Sequence, residues 1–187
     1  MMILKDDFSK LTNISKLSGC IAFFTNEKSE ITHLKKYLSF SDHKNLNILL
    51  KNKSKNKKKG LLSFDLNPNQ KIVLISIKKN QKPNETEKIG AQLTDFLNSE
   101  GAGIIHIISD TISVSLKTDA IYEFLHGMRL KSYSFDRYKS KKELNTLKVN
   151  ITSSKKFDKK IYNKFKAIEL GVNYTKDLVS EPGNICT

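Results

Sequence analysis

The chain has 187 residues, 38% of them hydrophobic, with 33 lysines and arginines against 19 acidic residues and a formal net charge of +14. This length supports one compact core, or one domain with an attached helical connector. No run of 18 apolar residues occurs, and MMILKDDFSK carries acids where a signal peptide has its apolar stretch, so composition excludes a membrane span and a secretory leader and favours the cytoplasm. Cys20 and Cys186 have no metal-binding spacing and are too few for a disulfide framework, so both are expected as free thiols.

In chain order, Ile21 to Phe24 reads as a short buried strand. Ser29 followed by Ile31, Leu34 and Leu38 predicts a helix, and the lysine-rich segment Lys51 to Gly60 predicts a loop. Leu61 to Leu66 and Ile72 to Ile77, separated by Asn-Pro-Asn, predict a hairpin. Asn84 with Glu87 resembles a capping box opening a helix over Ile89, Leu93, Phe96 and Leu97 that Gly101 ends. Gly103 to Ile108 is too short an apolar run for a helix and suits a strand buried on both faces. Thr118 and Asp119 open a helix to about Lys131, and Leu147 to Ile151 forms another strand.

A last, long helix starts at the N-cap Asp158. Ile161, Phe165, Ile168, Val172 and Val179 form one apolar stripe, and Leu170, Tyr174 and Leu178 form a second line displaced from it. Two apolar sides require two partners, so this helix is expected to touch its own domain on one side and another body on the other. Gly171 in its middle is tolerable where it permits close packing, and Pro182 and Gly183 stop the helix. The pattern is α/β, a mixed sheet flanked by helices, divided into a domain over 1–155 and a connecting helix over 156–187.

Chemistry-bearing motifs are missing. His33, His43, His106 and His126 make no metal-ligand spacing, and His106 within an apolar strand reads as a hydrogen-bonded core residue. No Gly-x-Ser-x-Gly elbow or Walker loop occurs, and the glycines at 101 and 103 precede their strand, where they cannot cradle an anion. No catalytic, cofactor-binding or metal-binding residue is therefore assigned. The charge is almost all lysine, Arg129 and Arg137 being the only arginines, and it is scattered along the chain. Such a surface attracts polyanions weakly at low salt, and a free-standing basic module binding nucleic acid is the alternative reading.

Two segments resemble a known family. In Phe124 to Lys142 a helix leads into a Tyr-x-Phe-Asp-x-Tyr-Lys run, supplied by Tyr133, Phe135, Asp136, Tyr138 and Lys139. In Ala167 to Thr187, Gly171, Val172, Asn173, Lys176, Asp177, Leu178, Pro182 and Asn184 resemble the connecting-helix signature. Both are similar to the N-terminal part of the leucyl aminopeptidases, in the family's order. Ser180 and Gly183 depart from it, where Asn, and Ala or Pro, are common.

The resemblance implies a macro-domain-like fold followed by a connecting helix, the chain stopping before a C-terminal catalytic domain. It further implies a cytosolic, hexameric parent that removes N-terminal residues from peptides. Two divalent metals, zinc or manganese, would be held there by residues around an Asn-Thr-Asp-Ala-Glu-Gly-Arg motif that this chain lacks. It implies an assembly role for the present segment, with no cofactor of its own. Tyr133, Phe135 and Tyr138 are expected to pack beneath the connecting segment, in preference to stacking on bases.

Overall fold

The computed structural model describes residues 3–9, 14–53, 60–140 and 146–182. Among these residues six strands form one sheet: β1 (Ile3–Ser9), β2 (Gly19–Thr25), β3 (Leu61–Asn67), β4 (Gln70–Ser76), β5 (Ile104–Ile108) and β6 (Thr146–Thr152). Their order is β1-β6-β5-β2-β4-β3, and every pairing is parallel except the β3–β4 hairpin. Ile21 of β2 faces Ile72 and His106 in its two neighbours, while Cys20 pairs with Ile105. Residues 21 to 24 are fully buried because layers cover both faces, which is why β2 reads as an unbroken apolar run.

Among the described residues four α-helices complete the layers: α1 (Phe40–Lys53), α2 (Pro83–Ser99), α3 (Ala120–Ser132) and α4 (Lys159–Ser180). Cys20, Ala22, Phe24, Val73, Ile75, Ile105 and Ile107 meet α2 and α3 on one face of the sheet. On the other, Ile21, Phe23, Ile72 and Leu74 pack against Leu34, Tyr37, Leu38 and Leu46. Burial of one such large apolar side chain stabilises by about 1.5–3 kcal/mol.

Several elements differ from the sequence reading. The helix expected after Ser29 is a 3-10 turn, Thr32–Lys36, in which a three-residue repeat still buries Ile31, Leu34 and Tyr37. The true helix, α1, follows, capped by Ser39, whose Oγ accepts from the Asp42 amide at 3.1 Å and donates to the Asp42 carboxylate at 2.6 Å. Its buried residues, His43 and Leu46, are diluted among lysines and asparagines, so no stripe showed. Lys51 to Lys53, assigned to a loop, are its last turn; residues 54–59 of that segment lie outside the described residues.

The opening of α2 is shifted as well. Pro83 is its first residue, and the Glu85 carboxylate accepts from the Lys82 amide at 3.0 Å, so the box lies two residues before Asn84 and Glu87. Strand β1 escaped the sequence reading because Lys5, Asp6 and Asp7 interrupt its apolar pattern, which an edge strand tolerates. Gly101 ends α2 with φ of 64°, and the Ala102 amide donates to the Leu97 carbonyl at 3.0 Å. Asp158 caps α4, accepting from the amides of Lys160 and Ile161 at 2.8 and 3.2 Å.

Helices α2 and α3 cross backbone against backbone. A Cβ at Gly90 would lie 2.0 Å from the Phe124 carbonyl oxygen, and one at Gly127 would lie 1.9 Å from that of Glu87. Thr94 lies in the same contact, its hydroxyl donating to the Gly90 carbonyl at 3.2 Å and lying 3.4 Å from that of Met128. Forcing a methyl into such a contact typically costs about 1–3 kcal/mol, occasionally more. Gly127→Ala is therefore expected to lower stability by about 3 kcal/mol, read from the urea midpoint. Gly103→Ala, where an added Cβ meets nothing within 4 Å, is expected to leave the midpoint almost unchanged.

Candidate functional site

The two family-like segments meet along α4. The Tyr133 hydroxyl donates to Asp177 Oδ1 at 2.7 Å, and Lys176 Nζ lies 5.0 Å from the centre of the Tyr133 ring and donates to the Leu130 carbonyl at 3.2 Å. Further along, Arg137 and Tyr138 both donate to the Glu181 carboxylate. Asp136 is buried beside the Lys139 ammonium at 2.5 Å, which holds its carboxyl well below the usual carboxylate range. Phe135 stacks at a tilt against Tyr138, with ring centres 5.8 Å apart. Residues 133–139 thus form a clamp on the end of α4, with Tyr133 and Phe135 half-buried and Tyr138 half-exposed, 52%, and tied down by its hydroxyl.

The middle of α4 is held by charge. Glu169 is 5% exposed, with one carboxylate oxygen 2.9 Å from His126 Nδ1 and 3.0 Å from an Arg129 guanidinium nitrogen. Arg129 also lies over the Tyr162 ring at 4.6 Å, and His126 faces Phe165 at 5.0 Å. At the N-terminal end the contact is apolar: Phe157, Ile161, Tyr162 and Phe165 pack on the core, and Phe8 of β1 meets Phe157 and Tyr162 with ring centres 3.8 and 5.9 Å away.

The predicted stripe is therefore only half right. Ile161 and Phe165 face the domain, but Ile168 is 43% and Val179 82% exposed, because the inward line turns through Glu169, Asn173 and Asp177. Leu170, Tyr174 and Leu178, the second line, are exposed as expected, at 63, 65 and 42%. Gly171 permits no close packing: an added Cβ would meet nothing within 4 Å. Pro182 is exposed, and Gly183, Asn184 and Cys186 lie outside the described residues. The charge-paired Glu169 was missed because an acid among apolar neighbours gives no sign of its partners 40 and 43 positions earlier.

All four histidines serve structural hydrogen bonds. His43 Nδ1 accepts from Asn47 at 3.3 Å, leaving Nε2 to donate to the Ile31 carbonyl at 3.0 Å, and His33 Nε2 lies 2.9 Å from the Phe24 carbonyl. His106 is buried beside Asn150, 3.4 Å away, as read from sequence. The mouth between β2 and β5, where open parallel sheets place ligands, is plugged by a 3-10 segment, Ser109–Val114. Its Thr111 hydroxyl accepts from the Phe24 amide at 2.9 Å, and Ile112 is fully buried. Among the described residues no three His, Cys, Asp or Glu side chains gather to hold a metal, and no helix is long and apolar enough to cross a membrane. The arrangement orients a helix.

Removing one partner of a buried ion pair costs about 3–5 kcal/mol, so Glu169→Ala is expected to lower stability by about 3 kcal/mol. Tyr133→Phe removes one hydrogen bond and is expected to cost about 1 kcal/mol, both read by urea unfolding. Burial holds the pKa values of His33 and His106 below the ordinary histidine value, so their neutral forms belong to the folded state. Their contribution is complete above the unfolded value of about 6.5 and is lost as pH falls through the lower folded values. The urea midpoint is expected to drop between pH 7.5 and 5.5, and less so in His33→Gln or His106→Asn.

No family model matches the chain. It is 37% identical over 87 residues to a probable cytosol aminopeptidase of Phytoplasma australiense, a match covering 45% of this chain and 18% of that protein. With the probable cytosol aminopeptidase of Rhizobium johnstonii it shares 33% identity over 135 residues, covering 63% of this chain and 25% of the relative. These matches thus span about a fifth to a quarter of the relatives' length. A tomato leucine aminopeptidase mutant superposes with a TM-score of 0.71 at 13% identity, covering 98% of this chain and 39% of the other. The chain is thus similar in sequence to part of the cytosol aminopeptidases and has the fold of the N-terminal domain of leucine aminopeptidase.

Proposed function

We propose that this chain is the non-catalytic N-terminal domain of a cytoplasmic leucyl aminopeptidase, with an assembly or regulatory role. In this reading α4 is the connector to a C-terminal catalytic domain, and the division falls at about residue 155. The observation that carries the reading is the seam itself. The two segments with family-like motifs clamp one another through Tyr133 with Asp177 and Arg137 and Tyr138 with Glu181. They leave Leu170, Tyr174, Leu178 and Val179 facing outward, as a helix between two bodies requires.

The parent, in the same reading, is a homohexamer that removes N-terminal residues from peptides with two divalent metals, zinc or manganese. The described residues do not fit that metal centre, so no catalytic step is assigned to them. The experiment has two arms. Purified chain, supplied with manganese or zinc, is expected to leave a leucyl amide substrate intact, and metal-dependent turnover would refute the non-catalytic role. Continuing the coding sequence past Thr187 is expected to reveal the Asn-Thr-Asp-Ala-Glu-Gly-Arg motif; a stop codon there sinks the connector reading. Retention of duplex DNA by the chain at physiological salt would instead favour the nucleic-acid module.

A further inference from the structure

Helix α4 is built in two unlike halves. From Asp158 to Phe165 it is anchored by apolar packing, with Ile161, Tyr162 and Phe165 set against the core and Phe8 against Phe157 and Tyr162. Beyond Phe165 no side chain of α4 belongs to the core cluster. The inward line there is Glu169, Asn173, Asp177 and Glu181, one residue every four, polar throughout. Its fastenings are side-chain hydrogen bonds and ion pairs to His126, Arg129, Tyr133, Arg137 and Tyr138.

Gly171 follows the buried Glu169 pair and precedes Asn173, whose buried Oδ1 makes no hydrogen bond among the described residues. No contact within this chain requires glycine at 171: it is exposed, it sits inside α4, and an added Cβ would touch none of the chain's atoms within 4 Å. A glycine that weakens a helix without a packing reason breaks a local rule, and such breaks gather at functional positions. The neighbouring case shows the contrast, since Gly90 and Gly127 are sterically compelled.

We propose that Gly171 is a hinge, and that residues 172–180 form an arm that swings off the domain as a unit when its polar seam opens, while residues 159–166 stay in place. The seam sets how the arm is turned when closed. The hinge lets the arm turn without disturbing the core. This inference stands independently of the aminopeptidase reading, since it concerns only α4 and its contacts within this chain.

Residue-resolved amide hydrogen exchange on the 187-residue chain tests it, alongside the Gly171→Ala and Tyr133→Phe variants. A step is expected at Gly171, with the amides of 172–178 exchanging together, about ten-fold or more faster than those of 162–166. Gly171→Ala should slow exchange across 172–178 by about five-fold, the difference in helix propensity, and leave 162–166 alone. Tyr133→Phe should speed 172–178 as a block. Rates that rise gradually toward the last turn mean ordinary fraying and overturn the proposal. Equal protection on both sides of Gly171 does the same, as does a step that Gly171→Ala leaves unmoved.

Discussion

The close approach of Gly90 to the Phe124 backbone and of Gly127 to the Glu87 backbone sets the positions of much that follows, because at both points α2 and α3 meet with no room for a side chain. Helices separated by ordinary side chains lie 8–10 Å apart and tolerate some sliding. Backbone contact removes that freedom, since a carbonyl oxygen cannot give way as a flexible side chain does. With α3 fixed against α2, Phe124 is placed to meet Phe24 edge-on, with ring centres 5.1 Å apart, and to lock the helix pair to the sheet. The same constraint sets the outer side of α3, where His126, Arg129 and, just beyond the helix, Tyr133 wait for α4.

That outer side explains how an acidic residue comes to be buried. Glu169 enters an apolar environment, which is costly for an ionised carboxylate unless partners are already in place. His126 and Arg129, one turn apart on the rigid α3, are such partners. The pairing makes the rotational setting of α4 specific: a rotated helix would bury an uncompensated charge. The apolar residues of its C-terminal half therefore face outward by consequence of the charge, against the simple expectation that apolar stripes point inward.

Much of the sheet was legible in the sequence because its strands are short, β-branched and bounded by turn residues. Gly103 to Ile108 starts one residue before the observed β5, and Leu147 to Ile151 falls one residue short of β6 at each end. The 3-10 turn at Thr32–Lys36 was mistaken for a helix because apolar spacings of three belong to both forms. Helix α1 was hidden by its lysines and asparagines, and the charged β1 is held by pairing with β6. For the site, the family-like residues Tyr133, Tyr138 and Asp177 could be named, but their pairing, and the part taken by Arg137 and Glu181, could not. Partners 43 and 44 positions apart leave no local trace.

What the sequence determined by itself was the class of fold, the order of most of its elements and the start of α4 at Asp158, since hydrophobic period and capping chemistry act over a few neighbouring residues. Only the tertiary structure decided which side of α4 faces the domain, why Gly90 and Gly127 must be glycine, and that no part of this chain packs against Gly171. Those are matters of steric and electrostatic complementarity between surfaces distant in the chain, and no spacing within one segment encodes them.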